Sequence, residues 1–149
     1  MKDSTQQLML NAEETLNAAS AYAKVASKQN PIYAQLAKKR SKKKAVNAYN
    51  VALGDWFHAP EIRHIEWDTG RICVRASDDV MVTKITITIL SDEGQCLEQA
   101  EAQSQSNRGI LWKYQATHTG LVRVEAWDFA SNVTRQEFIP SKSYFIWDG

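Results

Sequence analysis

Along residues 5–27, apolar and small side chains return at alternating three- and four-residue steps: Met9, Ala12, Leu16, Ala19, Ala23 and Ala26. Steps of that size hold a position on one side of a helix, so the spacing predicts a helix with a single narrow stripe. The stripe is mostly alanine, so each layer buries little area and suits close helix–helix approach better than a bulky core. Asn30-Pro31 resets the chain, with Asn30 as a cap and Pro31 at the first helical position, where its missing N–H costs nothing. A short helix carrying Ile32, Tyr33, Leu36 and Ala37 is expected next. After a basic run, Val46, Tyr49, Leu53 and Trp56 share the face of a third helix that ends at 54–57, before Pro60. Isolated helices this short are marginal in water, so they must pack on each other, on the rest of the chain or on another chain.

From Glu61 the period falls to two and turn residues arrive every 8–14 positions, the pattern of an all-β sandwich. Strands are predicted over 61–67, 71–77 with Ile72, Val74 and Ala76 inward, and 80–90, where Ile85, Ile87 and Ile89 alternate with Lys84, Thr86 and Thr88. Further strands fall over 96–102 and 110–116, then around Val122, Val124 and Ala126, and over 133–139. Trp112, Tyr114 and Ala116 share one face of the 110–116 strand. By the same parity Trp67, Trp127 and Trp147 are hard to bury, which leaves two readings: an exposed aromatic interface, or a tail over 141–149, rich in Tyr144, Phe145, Ile146 and Trp147, folded back over a sheet edge.

The stretch Ile72-Cys73-Val74-Arg75-Ala76-Ser77-Asp78-Asp79-Val80, the Thr-rich strand after it, Trp112-Lys113-Tyr114 and Val124-Glu125-Ala126-Trp127-Asp128-Phe129-Ala130-Ser131-Asn132 resemble bacterial Ig-like modules. Those modules commonly carry an Ala-x-Asp-Asp-Val turn after the second strand and an Ala-x-Asp-x-Ala-Gly-Asn turn before the last, with Ser131 standing here where glycine is frequent. The resemblance covers residues 61–140 and leaves the helical segment outside it. With the three helices read from the spacing, it implies a fold that is α+β by content: about three N-terminal helices, then an Ig-like antiparallel β-sandwich of about seven strands. The expected organisation is a basic helical segment over 1–58, the sandwich over 59–140 and an aromatic tail over 141–149. For function the resemblance is broad, since such sandwiches serve as spacers, adhesion modules and binding domains.

At 149 residues, 44% of them hydrophobic and 23% charged, the chain can bury a real core in one domain with an appendage. A net charge of +1 conceals a split: residues 1–54 hold nine Lys/Arg against three Asp/Glu, and residues 55–149 hold nine against fourteen. Two regions that dock on each other, or a basic region reserved for an acidic partner, both account for it. The first ten residues lack the apolar run of a secretory leader and no segment approaches a membrane span, so the reading is a cytoplasmic protein without membrane contact. Cys73 and Cys96 do not fall at the inward positions of an immunoglobulin disulfide, which favours reduced thiols.

The densest local chemistry is the run Lys38, Lys39, Arg40, Lys42, Lys43 and Lys44, six basic residues in seven. It could contact phosphates without reading sequence, but no aromatics are interleaved in it, and the composition favours a solvated or internally paired face. The turn residues Asp78, Asp79, Asp128 and Asn132 would meet at one end of an Ig-like sandwich and offer oxygen ligands of the kind Ca²⁺ takes. Aspartate and asparagine also cap turns by accepting backbone N–H groups, and that reading is preferred, with no cofactor or metal expected. A Cys73/His64 pair on neighbouring strands lacks a third orienting group, and His64-Ile65-Glu66 echoes the His-x-Glu of zinc deaminases without a Cys-x-x-Cys to complete the site. The sequence therefore points to a non-enzymatic interaction or structural module whose helical arm binds a protein partner or a second copy of itself; the alternative is a nucleic-acid-associated protein using the basic tract.

Overall fold

The computed structural model describes residues 4–40, 47–106, 109–140 and 144–149, with residues 4–11 described by backbone alone. The chain divides into two compact units, Met1–Phe57 and His58–Gly149. No helix among the described residues is long and apolar enough to cross a membrane.

The first unit holds α1 (Ser4–Gln29), α2 (Pro31–Arg40) and α3 (Ala48–Phe57). The first boundary is the expected one: Asn30 Oδ1 accepts the Ile32 N–H at 3.2 Å, and Pro31 opens α2. Asn47 does the same for α3, its Oδ1 accepting the Asn50 N–H at 2.8 Å. α1 buries Ala19 and Ala23 and α2 buries Tyr33 and Ala37, while α3 turns Val51, Ala52 and Asp55 inward. The third buried face is therefore rotated from the one expected, because Asp55 meets the Tyr33 hydroxyl at 2.7 Å and so occupies an inward position that a hydrophobic pattern does not mark. Val46, placed on that face by the sequence, lies outside the described residues.

Among the described residues the second unit is a β-sandwich of nine strands where about seven were expected. These are β1 (Glu61–Asp68), β2 (Arg71–Ser77), β3 (Val82–Leu90), β4 (Cys96–Glu101), β5 (Gln103–Ser104), β6 (Leu111–Gln115), β7 (Leu121–Asp128), β8 (Val133–Phe138) and β9 (Tyr144–Asp148). They form two antiparallel sheets in the orders β5-β6-β2-β1-β9 and β4-β3-β7-β8. The count rises for two reasons. The predicted 96–102 strand changes sheets at Ala102 to give β4 and β5, and the aromatic tail is itself a strand paired with β1.

One core joins the sheets. Ile65, Ile72 and Val74 come from one sheet, Ile85, Ile87, Ile89, Val122 and Val124 from the other, and all are essentially inaccessible. Trp67 belongs to this core at 2% exposure, against the parity expectation. A bulge is the reason: Ile62 pairs with Ala76 but His64 with Arg75, so the extra Arg63 shifts the phase and brings Ile62, Ile65 and Trp67 to the same face. A like shift between Val82 and Lys84 turns both Val82 and Ile85 inward. Trp147 and Phe145 of β9 pack against the core, and Phe145 stacks on Phe138 with ring centroids 4.6 Å apart. Trp127 stays on the outer face, where the Lys84 ammonium lies 4.7 Å from its ring centroid.

Candidate functional site

The acidic turns lie at the β2–β3 and β7–β8 connections. Asp78 Oδ2 accepts the Val80 and Met81 N–H groups at 3.1 and 3.2 Å, closing the first turn. Asp128 Oδ1 accepts the Asn132 N–H at 2.8 Å and its Oδ2 the Asn132 side-chain N–H at 3.0 Å, closing the second. Ser131 takes the left-handed conformation, φ 65°, that the frequent glycine would adopt freely. The turns do converge: carboxylate oxygens of Asp78 and Asp128 lie within 4.8 Å of one another. Burial pushes the Asp128 carboxyl above its ordinary range, the Asn132 bonds oppose this, and the nearby Asp78 charge adds to it. Asp79 is drawn away to His58, 3.1 Å distant. Of the four candidate ligands the fold thus gathers Asp78, Asp128 and Asn132, whose bonds close the two turns, and the Asn132 side chain also donates to the His58 carbonyl at 3.4 Å.

Lys38, Lys39 and Arg40 form the last turn of α2 and all are exposed, where positive charge complements the helix dipole. Lys42, Lys43 and Lys44 lie outside the described residues.

The histidines serve the sandwich. His64 lies between Glu66, 2.9 Å from Nε2, and Asp148, which contacts Nδ1. Both ring nitrogens therefore face carboxylates and neither is turned to Cys73, whose register neighbours are Glu66 and Lys113. The same contact joins the two polar members of the His-x-Glu sequence directly. Cys73 and Cys96 are both free thiols. Glu98 gathers several bonds: it accepts the Tyr114 hydroxyl, the Thr117 and His118 N–H groups at 3.0 and 2.9 Å, and contacts His118 Nδ1 at 3.0 Å. These tie the edge strand β4 to the β6–β7 turn.

The arm is a different kind of feature. At about 1.5 Å per residue, the 26 residues of α1 span about 39 Å and the ten of α2 or α3 about 15 Å. α1 therefore outruns its neighbours. The stripe that buries Ala19 and Ala23 continues toward the N-terminus through Leu16, 53% exposed, and Ala12; every side chain from Ala12 to Ala18 is exposed. The sequence marked this stripe but gave no sign of where its packing would stop.

It also gave no sign of the Tyr22–Tyr33–Asp55 line or the His64–Asp148 contact, which join residues 11, 22 and 84 positions apart. No family model, curated protein or solved structure matches the chain.

Proposed function

We propose that this chain is a non-enzymatic interaction module: an Ig-like sandwich that carries a helical arm, with the exposed stretch 12–18 of α1 as the surface on which a second copy assembles. The observation that carries the reading is the continuity of one stripe, buried at Ala19 and Ala23 and exposed at Leu16 and Ala12, within a single unbroken helix. A helical stretch without tertiary packing is marginal in water. Leu16 is 53% exposed, so covering it contributes roughly 1–1.5 kcal/mol per copy, about half of a full burial, and the flanking alanines allow close approach of a second helix. The strand orders β5-β6-β2-β1 and β4-β3-β7-β8 support the Ig-like assignment, with β9 as an addition beside β1.

Sedimentation equilibrium of the full chain tests this. Self-association that Leu16→Glu abolishes supports the arm, and a monomer at every concentration refutes it. The alternative, a polyanion-binding role, is favoured by the exposed Lys38, Lys39 and Arg40. It requires binding to a nucleic acid that weakens steeply with salt and with replacement of these residues by glutamine.

A further inference from the structure

The free side of β6 is only partly covered. The Ala76 N–H donates to the Ile110 carbonyl at 2.9 Å and the Ala116 N–H to the Gly70 carbonyl at 2.8 Å, so the even-numbered peptide groups of β6 face β2. Peptide groups alternate along a strand, and the odd-numbered ones face the other way. There Leu111 accepts the Gln105 N–H at 2.7 Å and Lys113 pairs with Gln103, the last pairing that β5 supplies. Farther on, the Thr117 N–H is capped by Glu98 at 3.0 Å. Between them Gln115 presents its N–H and C=O beyond the end of β5. The chain has left that side, because at Ala102 it bonds instead to the Ile85 carbonyl at 2.8 Å.

A cleft of about 490 Å³ lies at this gap, with Gln103, Gln105, Gln115, Arg71 and Lys113 in its lining and Glu101 also on its wall. Arg71 is the register partner of Gln115, and Lys113 is two residues away on the same strand face. Arg71 shares an exposed ion pair with Asp68 at 3.4 Å, whereas Lys113 has no carboxylate partner among the described residues. Cations thus gather beside an open strand edge on a segment whose overall charge is negative.

We propose that this cleft is a docking site for an extended acidic peptide, which adds to β6 at Gln115 and sets its carboxylates against Lys113 and Arg71. Strand addition supplies affinity through main-chain bonds, and the side chains around the edge supply selectivity. Glu101 repels acidic side chains from its part of the wall and so orients them toward the two cations. The Gln103 and Gln105 side-chain amides can each donate and accept, which suits a second peptide group. A polyphosphate would engage the cations but has no use for the Gln115 peptide group.

The test is fluorescence anisotropy with the full chain and a labelled peptide of alternating glutamate and valine. We expect saturable binding, weakened by about tenfold or more in Lys113→Glu, and weakened also in Gln115→Pro, where the lost N–H faces the open edge and the strand tolerates proline. The same peptide N-methylated on alternate backbone amides, which leaves the protein untouched, should not bind, nor should its lysine–valine counterpart. Leu16→Glu should leave binding unchanged, which separates this site from the helical arm. No saturable binding, or binding indifferent to Lys113→Glu or to peptide N-methylation, overturns the proposal. The last result would leave only a cationic patch.

Discussion

The Tyr33 hydroxyl donates to Asp55 Oδ2 at 2.7 Å, and the Tyr22 hydroxyl meets Tyr33 on its other side, so each helix of the first unit contributes one residue to a single hydrogen-bonded line. Tyr33 is fully buried. Burial raises its pKa above the ordinary phenol range, and the bonds to Tyr22 and Asp55 add to the effect, keeping it a neutral donor. Removing that donor leaves a buried carboxylate short of a bond. Tyr33→Phe should therefore cost about 1–3 kcal/mol, read as a shift of the urea midpoint in the helical circular-dichroism signal. An unchanged midpoint would contradict the structural role of this line.

Glu98 should make the sandwich sensitive to acid. Burial pushes its pKa up, but the hydrogen bonds from Tyr114, His118 and the Thr117 and His118 backbone outweigh this and hold it at about 2. The folded value lies below the unfolded one of about 4.3, so folding favours the carboxylate. Its contribution is present above that unfolded value and fades as the pH falls toward about 2. Glu98→Gln should lower the melting temperature at neutral pH and flatten its decline in this acidic window. A parallel decline in both proteins would show that Glu98 carries no such linkage.

His64 acts in the opposite direction. The bonds to Asp148 and Glu66 raise its pKa and burial opposes them weakly, so folding favours the imidazolium. That stability is complete below the unfolded value of about 6.5 and is lost as the pH rises through the raised folded value. Asp148 is 74% exposed on its side chain, so solvent screens the pair and the effect is small. The difference in melting temperature between the native chain and Asp148→Asn should be measurable in mild acid and should close in alkali. A pH-independent difference would remove His64 as the link between β1 and β9.

How far the sequence reaches is set by the range of each interaction. Asn30 and Pro31 act on adjacent residues, and the Ile85, Ile87 and Ile89 alternation acts within one strand, so the α1–α2 boundary and the core of β3 were legible. Trp67 was not, because a period of two cannot be followed across the bulge at Arg63. The tail was ambiguous because its partner strand β1 lies some 80 positions earlier; only the pairing of Ile65 with Trp147 turns an apolar stretch into β9. Asp78 and Asp128 lie on turns at one end of the sandwich, with carboxylate oxygens within 4.8 Å of each other, whereas the contact of Asp79 with His58 could not be assigned without the fold. Lys38, Lys39 and Arg40 were visible as charge, whereas the exposed end of the α1 stripe follows from helix lengths that only the structure supplies.

Residues 12–18 of α1 are the surface proposed to assemble copies of the chain, and sedimentation equilibrium tests this most directly. The native chain should show a concentration-dependent rise in mass that persists at moderate salt, since the contact is apolar, and Leu16→Glu should remain monomeric with an unchanged circular-dichroism spectrum. A native chain that stays monomeric throughout, or a Leu16→Glu chain that associates as strongly as the native one, would contradict it.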